Sequence, residues 1–300
     1  MRKLLLLSLL LLLSACSPLI LVDTFTPHDT YRFAASRAYG EQERQQLDIY
    51  QPLAITAQSK APVVVFFYGG RWQFGARSEY RFVAEALASH GFIVVVPDYR
   101  LYPQVRYPEF LDDSARAVAW VAQHIGAYGG DPANIHLMGH SAGAYNAIML
   151  TVNPSYLQRA GMQRRIRSAV GMAGPYDFLP ISDPALQQIF GPASGWPATQ
   201  PISYVSATSP PILLQTGSDD EVVKPRNSES LAVRLREHGV KTELIEYQGL
   251  SHAALVGVLA YPLRFRSASV LADVEQFLQR QTGQPVMLHA SGAATAAEAR

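Results

Sequence analysis

The chain has little of what would point to a metal, a cofactor or a disulfide framework. It contains one cysteine, Cys16, among 300 residues, so packing without an internal disulfide must stabilise the folded protein. No Cys and His residues have metal-ligand spacing, and the chain lacks a phosphate-binding Gly-Lys-Ser/Thr element and an internal repeat. We therefore expect neither a metal nor a cofactor.

An excess of charge is also missing. The chain has 25 Lys and Arg against 24 Asp and Glu, which gives no reason to expect nucleic acid or another polyanion as a partner. The densest basic run, Arg164-Arg165-Ile166-Arg167, is short and precedes a predicted strand, so we interpret it as a solvated helix end. The length suits one large α/β domain.

The longest apolar run lies at the amino terminus and is too short to span a bilayer. Arg2-Lys3 precedes residues 4–13, which are apolar except for Ser8, and this pattern is typical of an export signal. The run Leu13-Ser14-Ala15-Cys16 resembles a bacterial lipoprotein box, in which the thiol receives diacylglycerol and becomes the first mature residue. An incidental cysteine is the alternative. Ser17 resembles the sorting signal for the outer membrane.

The most informative internal motif is Gly139-His140-Ser141-Ala142-Gly143. It follows the apolar run 135–138 and precedes a helix-forming run, 142–150. A Gly-x-Ser-x-Gly sequence between strand and helix makes a sharp turn that exposes the serine hydroxyl. Ser141 is therefore a candidate nucleophile, and the Ala142 N–H can face an oxyanion. The alternative is an ordinary turn rich in Gly and Ser.

Two further polar residues follow predicted strands, in the order that a serine hydrolase requires. The strand beginning at Pro211 runs into the turn that contains Asp220, and the strand beginning at Leu244 ends near His252. A serine hydroxyl needs an imidazole to accept its proton, and the imidazole needs a carboxylate to fix its tautomer. Ser141, His252 and Asp220 supply these three roles.

A glycine-rich turn closes another predicted strand upstream. The apolar run 62–67 stops at Tyr68-Gly69-Gly70-Arg71-Trp72, where a pair of glycines lets main-chain N–H groups face a ligand. From Gln46 to about Gln279 the chain resembles the α/β-hydrolase carboxylesterases of the hormone-sensitive-lipase and feruloyl/acetyl-esterase-like type. Other matching positions are Asp98-Tyr99-Arg100-Leu101, Pro108, Asp112, Gly130-Asp131-Pro132 and Pro210-Pro211.

The resemblance implies an oxyanion hole formed by the N–H groups of Gly70, Arg71 and Ala142. This chain departs from the family by having Tyr68 in place of a histidine and Arg71 in place of a frequent third glycine. The family's Gly-x-x-Asp-x-x-Val pattern, begun at Gly217, places the acid on Asp220. The alternatives are the adjacent Asp219 and Glu221, and Asp177 after the preceding strand, where some relatives place the acid.

Strand and helix patterns alternate along the chain. This alternation predicts an α/β fold with a mostly parallel central sheet covered by helices on both faces, as in the α/β-hydrolases. Catalytic loops then gather at the carboxyl ends of the strands. The predicted strands are 47–50, 63–67, 92–97, 135–138, 169–173, 212–215 and 242–247. The predicted helices are 80–89, 114–125, 142–150, 228–238 and 269–280.

These patterns divide the chain into four parts. Residues 1–15 are the predicted signal peptide, and residues 16–45 a lipid-anchored tether and lead-in. Residues 46–280 are the predicted catalytic domain. Residues 281–300 lack an apolar face, so we expect a disordered tail. The sequence thus predicts an exported protein held at the bacterial cell envelope by a lipid on Cys16, with a small-molecule ester as substrate.

The stretch 176–209 is rich in Pro, Gly and Ser and lacks a long amphipathic helix. Its apolar residues Phe178, Ile189, Phe190 and Trp196 either line the acyl site or pack as satellite core. The absence of a large lid favours short acyl groups and small alcohols. A serine carboxylesterase is the main hypothesis. The alternatives are an amidase or peptidase, since the loop at Tyr68 also resembles that of kynurenine formamidases, and a silent surface-binding protein.

Overall fold

The computed structural model describes residues 25–56 and 58–282. The predicted signal peptide, Cys16 and the tail beyond Thr282 lie outside these residues. In the described part, no helix combines the length and apolar character needed to cross a membrane. The same part holds no group of three or more His, Cys, Asp or Glu side chains that could bind a metal ion.

An eight-stranded sheet forms the centre of the molecule, in the order β1-β2-β4-β3-β5-β6-β7-β8. The pairs β1–β2 and β2–β4 are antiparallel, and all other neighbours are parallel. This confirms the predicted α/β class. The strands are β1 Tyr31–Ala38, β2 Gln46–Pro52, β3 Ala61–Phe67, β4 Ile93–Pro97, β5 Gly130–His140, β6 Ser168–Met172, β7 Ile212–Gly217 and β8 Thr242–Tyr247.

Helices connect the parallel strands. Every residue of β3, β4 and β6 is buried, and because successive side chains point to opposite faces, both faces of the sheet must be covered. The α-helices are α1 Arg81–Ala88, α2 Glu109–His124, α3 Ala142–Val152, α4 Ser155–Arg159, α5 Pro184–Phe190, α6 Arg226–Glu237, α7 His252–Gly257 and α8 Ala268–Thr282. Short 3-10 helices span Arg77–Tyr80, Ile125–Tyr128, Ala193–Thr199, Pro201–Tyr204 and Tyr261–Arg266.

The structure differs from the predicted boundaries at both ends of the domain. Strand β1 lies within residues 16–45, the predicted tether and lead-in, and pairs along its length with β2. Its burial does not alternate regularly, because a bulge between Phe33 and Ala35 shifts the register. At the other end, α8 continues to Thr282, two residues beyond the predicted end at residue 280.

Candidate active site

Ser141 occupies a strained turn between β5 and α3. Its φ is 56° and its ψ is −124°, a conformation that non-glycine residues rarely adopt. A Cβ at Gly139 would lie 2.3 Å from the Gly143 carbonyl oxygen, and one at Gly143 would lie 2.0 Å from the Phe67 carbonyl oxygen. The turn therefore requires glycine at both positions, which explains the spacing of the motif in physical terms. The Ser141 N–H donates to the Met172 carbonyl at 2.9 Å.

The upstream glycines lie against this serine. Residues 68–75, here called the glycine loop, approach so closely that a Cβ at Gly69 would lie 3.0 Å from the Ser141 Cβ. Gly70 has φ +130°, and its carbonyl accepts from the N–H groups of Gln73 and Phe74 at 2.9 and 3.0 Å. The structure thus brings the loop carrying two of the predicted oxyanion donors beside the candidate nucleophile.

The third predicted donor, Ala142, is the first residue of α3. The N–H groups in the first turn of a helix have no acceptor within that helix. Together with the positive end of the helix dipole, a free N–H next to Ser141 favours an anion at this point.

Asp220 and His252 meet beside the sheet's carboxyl edge. Asp220 follows β7 and His252 begins α7, and the His252 Nδ1 lies 2.8 Å from Asp220 Oδ2. The other carboxylate oxygen, Oδ1, accepts from the N–H groups of Val222 and Val223 at 2.9 and 2.8 Å. Burial raises the pKa of Asp220, but the hydrogen bonds from His252 and Val223 outweigh it and hold this pKa below its ordinary value. The carboxylate is therefore ionised at neutral pH.

Two of the alternative carboxylates, those of Asp219 and Glu221, have partners other than His252, and Asp177 lies at a different corner of the sheet. The Asp177 N–H donates to Asn227 Oδ1 at 3.1 Å, at the corner after β6. The exposed Asp219 accepts a hydrogen bond from the Ser218 hydroxyl at 2.8 Å, and the exposed Glu221 pairs with Lys224. Of the four carboxylates, the one hydrogen-bonded to His252 belongs to Asp220.

His140, the residue before the candidate nucleophile, lies against His252. The two ring centroids are 4.7 Å apart, and His140 Nε2 lies 3.0 Å from the His252 carbonyl oxygen, so Nε2 carries the proton. Burial, followed by repulsion from His252, lowers the pKa of His140 to about 3. This ring is therefore neutral, and it links the serine turn to the start of α7. Sequence reasoning missed His140, although it stands inside the motif.

Tyr68, the first residue of the glycine loop, belongs to a polar network. Its buried hydroxyl donates to Asp98 Oδ1 at 2.8 Å and accepts from Arg44 Nη2 at 2.7 Å. Arg44 also donates to the carbonyls of Gly75 at 2.7 Å and Tyr99 at 2.9 Å. Burial raises the pKa of Tyr68 well above its ordinary value, which keeps the phenol protonated. One guanidinium thus contacts both ends of the glycine loop.

Trp72 connects the glycine loop to α3, the helix that follows Ser141. Its indole N–H donates to Asn146 Oδ1, on α3, at 3.0 Å. Its carbonyl accepts from the Tyr102 N–H at 2.8 Å. The ring packs edge-on against Tyr145, also on α3, with centroids 5.1 Å apart. Asn146 is a further residue that sequence reasoning missed, since nothing in its local pattern indicates a partner so far away in the chain.

Residues 176–209, here called the cap segment, are packed against the domain. Ile189 and Phe190 are buried, while Phe178 and Trp196 are partly buried against the core. The Tyr145 hydroxyl donates to the Thr199 carbonyl at 2.6 Å. The apolar side chains of this segment therefore form part of the core.

The sheet order, the strained serine turn and the histidine–aspartate contact after the last two strands define a protein of the α/β-hydrolase class. The chain belongs to the BD-FAE family, whose model matches residues 47–235.

A probable isoprenylcysteine alpha-carbonyl methylesterase of Oryza sativa subsp. japonica is 30% identical over 79% of this chain and 61% of its own length. The probable carboxylic ester hydrolase LipM of Mycobacterium tuberculosis is 30% identical over 80% and 59%. The chain thus spans about three fifths of these curated relatives.

Solved structures share the fold at lower identity. A truncated carbohydrate esterase from gut microbiota superposes with a TM-score of 0.75 and 20% identity, covering 86% of this chain and 99% of that one. The apo form of Thermogutta terrifontis esterase 2 gives a TM-score of 0.71 and 23% identity, covering 82% and 94%. Both support the α/β-hydrolase architecture.

Proposed function

We propose that this protein is a carboxylic-ester hydrolase that works through an acyl-enzyme on Ser141. The contact between His252 Nδ1 and Asp220 Oδ2 at 2.8 Å carries the proposal, because it fixes the proton on Nδ1 and leaves Nε2 free to accept another. The esterase names of relatives at 30% identity support the same reaction.

The acylation step follows from these roles. The Ser141 Oγ attacks the ester carbonyl carbon while His252 Nε2 takes the hydroxyl proton, and the carbonyl oxygen becomes an oxyanion. The N–H groups of Gly70, Arg71 and Ala142 stabilise that charge. The intermediate then expels the alkoxide, which receives the proton from His252, and Ser141 remains acylated. Ionised Asp220 stabilises the imidazolium throughout.

Deacylation follows the same steps with water as the nucleophile in place of Ser141. His252 Nε2 accepts a proton from water, the resulting hydroxide attacks the acyl carbon, and a second oxyanion forms in the same hole. Its collapse releases the carboxylic acid, and the Ser141 oxygen regains its proton from His252. Neutral His140, next to Ser141, adds no positive charge that would oppose the imidazolium.

We propose short acyl groups and small alcohols as the substrate class. Phe178 and Phe190 pack against each other in an aromatic cluster, with ring centroids 5.4 Å apart. Both side chains therefore contribute to the core. A relative named as a probable isoprenylcysteine alpha-carbonyl methylesterase supports the small alcohol by its name, whereas the short acyl group rests on the cap segment alone.

A panel of acyl esters and aryl amides tests the reaction class. We expect the purified protein to hydrolyse p-nitrophenyl acetate and butyrate faster than the palmitate ester and faster than the matching acyl anilides. Measurement of kcat/KM for each compound gives the ranking. Faster turnover of the anilides would favour an amidase, and turnover of neither class would refute a hydrolase.

We also propose that the protein is exported and held at the cell envelope by a lipid on Cys16. The charged Arg2-Lys3, the apolar run 4–13 and the box ending at Cys16 support this. A diacylglyceryl group provides two chains, which anchor firmly where one chain binds only marginally.

Cys16→Ala should abolish both incorporation of radioactive palmitate and partition into the detergent phase. The matched control Ser14→Ala leaves the acceptor thiol in place and should keep both properties. Palmitate labelling, detergent phase partition and cell fractionation of the two variants and the wild type measure the effect. Membrane retention of Cys16→Ala equal to that of the wild type would contradict lipid anchoring.

A further inference from the structure

An ion pair joins the glycine loop to the cap segment. Arg71 Nη2 donates to Asp183 Oδ2, and the two side chains are 41% and 37% exposed. The other oxygen of Asp183, Oδ1, accepts from the Ala185 N–H at 2.8 Å and caps the start of α5. The hydrogen bond from Arg71 lowers the pKa of Asp183, so the carboxylate is charged at neutral pH.

Trp72, the next residue of the glycine loop, contacts the carboxyl-terminal end of α5. Trp72 packs edge-on against Phe190, the last residue of α5, with centroids 4.9 Å apart and an interplanar angle of 88°. Consecutive residues of the glycine loop therefore hold both ends of α5, Arg71 through charge and Trp72 through ring packing.

The backbone of these two residues needs such support. Arg71 has φ 54° and Trp72 has φ 58°, in the left-handed region that disfavours residues with a Cβ. Strained conformations persist only where the surroundings hold them. Trp72 is held by its bonds to Asn146 and Tyr102, whereas the side chain of Arg71 is held by Asp183.

We propose that Arg71 and Asp183 are a positioning pair, which keeps the N–H groups of Gly70 and Arg71 directed at the oxyanion. This inference rests on the proposed ester hydrolysis. In this proposal the pair acts through the backbone of the glycine loop and not through contact with the reacting atoms. The residue found where the family often has glycine thus connects the oxyanion hole to the cap segment.

Kinetics of Asp183→Asn in the full-length protein, purified in detergent, tests the pair. Asparagine caps a helix as well as aspartate does, so this change removes the charge and retains the cap. We expect kcat for p-nitrophenyl butyrate to fall about tenfold with KM almost unchanged, since oxyanion contacts act on the transition state. Arg71→Gln should lose as much, and the double variant no more than either single one, because the two residues act as a unit.

The chain offers a matched control. The ion pair between Arg159 and Asp112 is similarly exposed, at 55% and 37%, and joins α4 to α2. Asp112→Asn should therefore leave kcat unchanged. Both Asp→Asn variants should lower the melting temperature little, as breaking an exposed ion pair does.

Hydrogen exchange gives a second readout that does not depend on turnover. The N–H groups of residues 70–72 should exchange faster in Asp183→Asn than in the wild type or in Asp112→Asn. Unchanged kcat and exchange would overturn the positioning pair, and a raised KM with unchanged kcat would overturn it in favour of a substrate contact. A wild type inactive on every ester would refute the proposed function, and the exchange rates would still decide whether the pair orders the loop.

Discussion

Ser141→Ala should reduce ester turnover by a factor on the order of 10⁶, because loss of the nucleophile disables the serine, histidine and aspartate as a unit. The fold should be retained, since alanine removes only the hydroxyl and the turn already accommodates a Cβ at this position. Steady-state kinetics with p-nitrophenyl butyrate measures the loss. Circular dichroism and thermal unfolding measure the fold.

Mass spectrometry after treatment with an organophosphate locates the nucleophile directly. The wild type should gain one adduct, on the peptide that contains Ser141, and the alanine variant should gain none. Ser203→Ala is a suitable control, because its exposed hydroxyl donates only to the Pro197 carbonyl, at 2.9 Å, in the cap segment. An adduct on Ser141→Ala, or normal turnover by that variant, would assign the nucleophile elsewhere.

The parts of the fold that could be predicted are those in which local pattern and tertiary packing agree. The run 135–138 is buried throughout, and the glycines beside Ser141 are required by contacts of 2.0 to 2.3 Å that any side chain would violate. The apolar pattern, the residue composition and the glycines of the turn therefore all indicate the same strand–turn–helix unit.

Strand β1 could not be predicted in the same way. It is an edge strand in which only Tyr31 and Ala35 are buried, so its sequence lacks the regular alternation of apolar and polar residues on which strand prediction depends. The bulge between Phe33 and Ala35 also interrupts its alternation. Its place in the sheet is determined by pairing with β2, which is a tertiary property.

The contacts around the candidate site could not be predicted either, because their partners are far apart in the sequence. Arg71 and Asp183 are 112 residues apart, as are His140 and His252. Arg44 reaches Tyr68 across 24 residues and Gly75 across 31. Tyr68 is visible in the sequence as a departure from the resembled family, but its partners Arg44 and Asp98 are brought to it by the fold.

Asp220→Asn should lower turnover by about 10⁴, because the amide keeps the shape of the carboxylate but favours the wrong imidazole tautomer. Asn can donate to His252 Nδ1, which moves the imidazole proton to Nε2, where the serine proton must go. The variant also lacks the negative charge that stabilises the imidazolium. Steady-state kinetics with p-nitrophenyl butyrate measures the loss.

Asp219→Asn and Asp177→Asn are the matched controls for Asp220→Asn, since each makes the same chemical change in a neighbouring or alternative acid. Asp219 is exposed and bonded to Ser218, and Asp177 lies at the corner after β6, where its N–H meets Asn227. Both variants should keep turnover within about tenfold of the wild type, because neither changes the imidazole tautomer. An inactive Asp177→Asn beside an active Asp220→Asn would place the functional acid after β6 and reduce the contact between His252 and Asp220 to a structural one.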